Sequence, residues 1–315
     1  MSKEDWDFDY DLSIGDVVHL AHACGFESEV EALGEGWDFA TFVCDGHVLR
    51  VPKRAETAET LPRELAFLRS LPVDLSLQTP RPWPDLVKVA ALPYPCMVYP
   101  YLPGRPLDGF DPDAVSIEPN RSFAEHIGAQ VGAFLGTVHK RTSTPPAATA
   151  TGLNTFEADD AEWVRDSIER LESLRSILGD RFTHQLKLRV QQRVPSSDSS
   201  LLVCHGDLHA EHILVDGNDA VAVIDWGDVS VGPWWLDFVG LWMWGGDPCL
   251  RFALAAYGRE ARDHEQSHLR RRALMVAILD CDYLRTLDAQ STIASTQRDS
   301  TQGLAEAVEL LRRFV

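Results

Sequence analysis

Hydrophobic positions along this chain change period about a third of the way in. Residues 33–53, "LGEGWDFATFVCDGHVLRVPK", read as strand, turn and strand, opened by Gly34 and Gly36 and reversed at Asp45-Gly46, a hairpin signal. The next stretch, "PRELAFLRSL", predicts a helix with Pro62 in its first turn, where a missing N–H costs little. Glu64, Phe67, Leu68 and Leu71 then share one face. A carboxylate in an apolar stripe requires a cation, and Arg50 and Lys53 end the preceding strand.

A Pro-rich piece, 79–106, contains "CMVYPYLPGRPL", a short strand running into a stiff connector that turns near Pro103-Gly104. Beyond it the helical period takes over. Phe123, Ile127, Val131, Phe134, Leu135 and Val138 mark one amphipathic helix, and Val164, Ile168, Leu171 and Leu178 a second. "VPSSDSS" at 194–200 is a loop by composition, and "HLRRRALMVAILDCDYLRTLDA" and "GLAEAVELLRRFV" return to helix. Between these, "LLVC", "ILVD" and "AVAVID" interrupt as short strands around polar clusters.

This pattern predicts an α+β chain with a small β-rich N-terminal lobe, 1–98, a hinge, 99–106, and a larger, mainly helical lobe, 107–315. Repeats and low-complexity tracts are not apparent. A length of 315 residues suits two lobes sharing a cleft. The acidic start "MSKEDWDFDY" does not resemble a secretory signal, and no apolar run approaches the ~20 residues of a membrane span. Six scattered cysteines without a CxxC pair point to a reduced, cytoplasmic setting. The formal charge of −19 disfavours a nucleic-acid partner and suits a cationic small molecule, although surplus carboxylates also serve solubility. Nothing indicates an obligate protein partner.

The chemistry concentrates in "VCHGDLHAEHILVD" and "AVAVIDWGDVSVG". Each apolar strand ends in a polar cluster with an aspartate, Asp207 and Asp225, eighteen positions apart, and strand, loop, strand, turn, strand would bring both to one sheet edge. Phosphoryl transfer needs such a pair, one carboxylate to orient and deprotonate the attacking hydroxyl and another to hold Mg²⁺. An H-x-D-L element followed by D-x-G, here Asp225-Trp226-Gly227, is the order of that pair in kinases.

Together with "LD" at 236–237, these motifs resemble the aminoglycoside phosphotransferase family, and within it the branch of aminoglycoside 2″-phosphotransferases and macrolide phosphotransferases. The resemblance spans about 33–245 and implies a protein-kinase-like two-lobed fold, ATP or GTP as donor, Mg²⁺, and a hydroxylated, cationic antibiotic or similar compound as acceptor. It implies Asp207 as base and Asp225 with His212 as metal ligands, His212 standing where other members carry Asn. Mg²⁺ prefers oxygen ligands, so His212 could instead order the loop. It places Arg50 where most kinases have the nucleotide lysine, with Lys53 as the other candidate, Glu64 as partner, Gly34 and Gly36 as a short phosphate-covering loop, and Tyr99 and Tyr101 at the base-binding hinge. His205, Asp228 and Asp237 are supporting residues in this reading.

"LWMWGGD" lies where the resembling enzymes line the acceptor pocket, which makes Trp242, Trp244 and Asp247 substrate candidates with Glu211, and adds Asp280, Asp282 and Asp288. A Trp pair in a helix serves equally as core. A different class, a zinc hydrolase, would use His205, His209 and His212 on one helical face, but Gly206 and the flanking strands oppose a helix there. A nucleotide-binding protein without kinase activity is the third reading, opposed by the intact aspartates.

Overall fold

The computed structural model describes residues 8–83, 85–108, 121–142, 153–156, 161–194, 201–290 and 294–315, the side chains of 154 and 288–301 excepted. Loop residues 195–200 and the Asp288 side chain therefore lie outside the description.

The N-terminal lobe is an antiparallel sheet, β1 (Glu31–Glu35), β2 (Phe39–Cys44), β3 (His47–Pro52) and β4 (Met97–Pro100), in that order. The expected strand pair is thus three strands, because Gly36 donates its N–H to the Phe39 carbonyl at 2.9 Å and closes a turn inside the segment. Asp45 and Gly46, with φ of 48° and 70°, reverse the chain between β2 and β3 as the dipeptide predicts.

Alternation along β3 sorts its side chains between two cores. Leu49 and Val51 meet Val17 and Leu20 of α1 (Ile14–Ala23), a helix the sequence reading passed over although Ser13 and Asp16 form a capping box at its start. Val48 joins the other core, with Leu61, Leu65 and Leu68 of α2 (Ala55–Ser70). Helix α2 begins at Ala55, seven residues before Pro62, and carries that proline inside it, contrary to the first-turn expectation. The Ala55 N–H on Asp9 (3.1 Å) and the Thr57 hydroxyl on Asp38 (3.0 Å) hold this earlier start, which offsets the hydrogen bond Pro62 cannot donate.

The hinge passes from β4 directly into β5 (Arg105–Pro106), which belongs to a second small sheet with β8 (Ile213–Asp216) and β9 (Asp219–Val223). A third sheet joins β6 (Asn154–Thr155), β10 (Ser230–Pro233) and β7 (Leu201–Cys204). Around these pack α3 (Arg121–Thr142), α4 (Ala161–Ser173), α5 (Arg175–Leu178), α6 (Asp180–Gln191), α7 (Val239–Tyr257), α8 (Asp263–Gln290) and α9 (Ala294–Arg312). Leu178 belongs to the separate turn α5 and not to the helix of Val164, Ile168 and Leu171, and α6 was not anticipated. All six cysteines are free, and among the described residues no helix is long and apolar enough to cross a membrane.

Helices α3 and α7 form the backbone of the larger lobe through glycines spaced four apart. A Cβ at Gly128 would lie 2.4 Å from the Cys249 carbonyl oxygen, and one at Gly132 2.0 Å from that of Ala253. The helices can approach this closely only without those methyl groups. Gly132→Ala is expected to destabilise the protein by about 1–3 kcal/mol or more through overpacking. An unchanged urea midpoint would show that the interface can part without cost.

Candidate active site

The first functional loop hangs from one buried carboxylate. Asp237, 1% exposed, accepts the backbone N–H of His205 (2.8 Å) and of Gly206 (3.0 Å), and its own position is fixed by His139 Nε2 at 2.9 Å. Gly206 has φ of 91°, and a Cβ there would lie 2.1 Å from the Asp228 carbonyl oxygen, so only glycine passes this point. Close fit recurs at Gly240 of α7, whose Cβ would meet the Leu208 carbonyl oxygen at 2.1 Å.

The Ile224 peptide joins this loop to the second one. His205 Nε2 donates to the Ile224 carbonyl at 2.9 Å, while the Ile224 N–H donates to the His212 carbonyl at 2.9 Å. His205 Nδ1 accepts the Asp207 N–H (3.4 Å), and burial lowers the pKa of this imidazole. It is a neutral scaffold that touches Trp226, 4.5 Å between ring centroids. Asp207 and Asp225 thereby come together from two different sheets, after β7 and after β9, and not along one sheet edge as expected. Asp225 adopts φ of 59°, a left-handed conformation open to few side chains, and this turns its carboxylate into the cleft.

On the N-terminal side, Arg50 lies on the Val48 face of β3 and so points at α2. Its Nη1 meets Glu64 Oε1 at 2.5 Å and its Nη2 donates to Asp225 Oδ1, while Phe39 covers the guanidinium at 3.7 Å. Burial alone lowers its pKa, but Asp225 and then Glu64 outweigh burial and hold it above the ordinary value. Burial raises the Asp225 carboxyl, yet Arg50 and then His212 bring it below the usual range. Lys53, one strand face away, pairs instead with Glu35 of β1 at 2.6 Å. Of the two candidate cations, Arg50 is therefore the one beside Glu64. Arg63, four residues before Phe67 on α2, adds a contact that the sequence reading missed, donating to the Gly227 carbonyl at 3.0 Å.

The opening between the lobes gathers the remaining groups. Asp207 Oδ1 stands 2.9 Å from His209 Nε2. Burial opposes that pair at both ends, but it holds Asp207 well below the carboxylate range and raises His209 to about 9. Asp280 of α8, pushed up to about 6 chiefly by burial, shares this space with His209, Glu211 and Asp207. Asp228 is also raised to about 6, by protein surroundings and then by repulsion from Asp207 and Asp225. Above them the β1–β2 turn reaches across the cleft, with Trp37 5.0 Å from the Tyr283 ring of α8. Neither aromatic was singled out from sequence, since an isolated Trp in a turn and a Tyr in a helix carry no spacing signal. Gly36 sits in this turn and Gly34 beside it on β1, at an irregularity in the pairing with β2; neither has positive φ, and Gly34 borders open space.

His212 offers a test of metal binding. Its Nδ1 donates to the Asp207 carbonyl at 2.7 Å, which leaves Nε2 as a lone pair 3.8 Å from Asp225 Oδ2 and 4.0 Å from Glu211 Oε1. An imidazole nitrogen and a carboxylate oxygen facing each other, those of His212 and Asp225, are a donor pair open to a divalent cation. The three-histidine zinc arrangement does not form: residues 210–212 make a single 3-10 turn, and both His205 nitrogens are engaged.

The other sequence candidates are held by contacts of their own. Tyr99 is buried on β4 with its hydroxyl pushed up to about 12 chiefly by burial, and Tyr101, exposed, donates its N–H to the Gly46 carbonyl. Trp244 packs on Phe123 of α3 at 5.9 Å. Trp242 donates its indole N–H to Asp247 at 2.8 Å and meets Phe314 edge to face, in a cavity lined by α6, α7 and α8 residues. Helix α7 is kinked at Gly246 (φ 63°, ψ −161°), which turns Asp247 toward Arg270. Asp282 is engaged by Arg170 and Arg285.

The His209 pair sets a pH dependence. A folded-state pKa of about 9, above the ordinary 6.5, means that the contribution is fully present below pH 6.5 and is lost as pH rises through 9. Urea midpoints of the wild type and His209→Gln should therefore converge between pH 7 and 9.5. A constant gap would refute the ionic nature of the pair.

Comparison with known proteins places this arrangement. No curated protein matches the sequence. Among solved structures, the GDP complex of wild-type aminoglycoside 2'-phosphotransferase-IIIa shares 19% identity over 95% of this chain and 99% of its own, with a TM-score of 0.71. The GDP and kanamycin complex of APH(2")-IIIa follows at 21% identity, 96% and 98% coverage and a TM-score of 0.68. The macrolide 2'-phosphotransferase MphH from Brachybacterium faecium gives 20%, 92% and 98%, and 0.61. These likenesses establish the two-lobed, protein-kinase-like fold. The family model described as "Phosphotransferase enzyme family" matches residues 29–274, a span that contains Arg50, Glu64, Asp207, His212 and Asp225, and the chain belongs to that family.

Proposed function

We propose that this protein transfers the γ-phosphoryl group of ATP or GTP to a hydroxyl of an aminoglycoside, a macrolide or a similar cationic compound. The observation that carries the reading is the convergence of Arg50, Glu64, Asp207, His212 and Asp225 from separate elements on one cleft. Kinship with antibiotic phosphotransferases supports it further, since solved relatives hold GDP, and one holds kanamycin as well.

Asp207, kept ionised by His209, accepts the hydrogen of the attacking hydroxyl and aligns its oxygen with the phosphorus. Arg50 offers a planar fork to the phosphate oxygens and is steadied by Glu64. Its contact with Asp225 yields when a nucleotide enters, which frees that carboxylate. Asp225 and His212 would hold Mg²⁺. Bound there, the ion neutralises charge on the transferring group. Trp37 and Tyr283 meet over the cleft and would shield bound substrates from part of the solvent. Glu211 and Asp280 give the acceptor side a negative lining suited to an ammonium-bearing substrate.

Asp207→Asn should preserve folding and nucleotide affinity while reducing transfer by 10³-fold or more. The measurement is mass spectrometry of reactions with Mg²⁺, ATP or GTP, and a panel of aminoglycosides and macrolides, followed for a gain of one phosphoryl group. Wild-type turnover in the variant would remove Asp207 from the role of base. Nucleotide binding without product from any panel member would move the acceptor to another hydroxylated metabolite.

A further inference from the structure

Helix α2 grips the loop after β9 at a point that the phosphotransfer chemistry does not use. Arg63 and Phe67 lie one turn apart on α2, so their side chains share a face, and that face meets consecutive residues of the loop. Phe67 packs on Trp226, 5.3 Å between ring centroids, and Arg63 Nη2 donates to the Gly227 carbonyl at 3.0 Å. Glu64, the next residue of α2, faces Arg50 instead. The contact with Gly227 has a cost, because Arg63 Nε is buried without a hydrogen-bond partner among the described residues. Turned outward, the same side chain would keep every donor solvated, so its inward placement is not what an arginine alone would favour.

The gripped loop is a strained one. Asp225 adopts φ of 59°, a conformation that persists in a residue other than glycine only where its surroundings over-determine it. From the larger lobe that restraint comes through Trp226, buried against His205, and through the Asp228 carbonyl, lodged where Gly206 leaves no room for a Cβ. From the smaller lobe it comes through Arg50 and Arg63, which act in different ways. Arg50 takes the Asp225 carboxylate at Oδ1, whereas Arg63 takes the main chain two residues on and leaves the carboxylate untouched. A grip on a carboxylate oxygen competes with a cation for the same atom; a grip on a peptide carbonyl does not. The Arg63 charge also opposes the repulsion that Asp207 and Asp225 exert on Asp228.

We infer that Arg63 is a positioning residue: through the Gly227 carbonyl it keeps the Asp225 carboxylate aimed into the cleft once Arg50 has turned from that carboxylate to phosphate. The inference rests on the phosphotransfer reading, in which Arg50 and Asp225 serve the nucleotide and its cation. Arg63 acts through the loop backbone and not on the ligand.

The test compares the wild type with Arg63→Met, both as the full chain. Mn²⁺ is titrated into protein saturated with ADP while free Mn²⁺ is followed by electron paramagnetic resonance, and ADP affinity is measured separately in EDTA. The expected result is Mn²⁺ affinity weaker by about tenfold or more in the variant, the usual effect of removing a group that orients a metal ligand, with ADP affinity in EDTA within about twofold of wild type. A merely structural role would weaken both together or neither. Should Arg63→Met fold poorly by its urea midpoint, Arg63→Gln, polar but shorter, must weaken Mn²⁺ binding in the same sense. Unchanged Mn²⁺ affinity in the variant, or equal loss in both titrations, overturns the inference and leaves the phosphotransfer reading standing. Wild-type protein that binds no Mn²⁺ with ADP removes that reading, and the role of Arg63 with it.

Discussion

A single buried cation joins the two lobes of this protein. Arg50 is 5% exposed, carries its charge at every accessible pH, and must find carboxylates wherever the fold places it. Glu64 of α2 and Asp225 of the larger lobe answer it together, and Phe39 closes the remaining side. Removing Glu64 or Arg50 would strand the charge of the other in a dry site, where an unpaired ion costs several kcal/mol. The position of α2 against the sheet and the direction of the Asp225 carboxylate therefore follow from one guanidinium. A lysine, with one point charge and no fork, could not engage two carboxylates in the same planar geometry.

On the opposite side of the cleft, Asp237 performs the corresponding task without exposure to ligand. Its two oxygens take the backbone N–H groups of His205 and Gly206, and His139 completes the shell. The loop bearing Asp207 is consequently held by backbone hydrogen bonds and by glycine contacts too tight for a Cβ. Neutral His205 extends that order to Ile224, and through it to Asp225. Two aspartates eighteen positions apart in sequence and borne by two sheets are thus brought together by buried groups behind them. Precision at the reacting atoms depends on such supporting contacts, because small displacements there cost large factors in rate.

Charge is distributed unevenly to match. The cleft concentrates Asp207, Glu211, Asp228 and Asp280, and burial with mutual repulsion raises two of them to about 6, while Asp207 stays ionised beside His209. Environment thus separates carboxylates of the same chemistry into different protonation behaviour. Along α8 the charges alternate by segment: Asp263 and Glu265 stand in its first turn, Arg270, Arg271 and Arg272 follow, and Asp280 lies at the cleft.

Local chemistry in the sequence was enough to determine the α+β class, the hairpin at Asp45-Gly46, the strands around Asp207, the faces of α3 and the identity of the motif residues. Period and turn propensity act within a few residues, so they survive in the sequence without knowledge of the fold. The choice between Arg50 and Lys53 was half legible, since strand alternation separates them, but which face meets α2 depends on where that helix docks. Pro62 within α2, the kink at Gly246 and the contacts of Asp247 with Trp242 and Arg270 were decided by packing between distant segments. So were the Trp37 contact with Tyr283 and the meeting of Asp207 with Asp225 from two sheets. Those outcomes depend on which surfaces exclude water together, a property of the assembled chain that no local run of residues encodes.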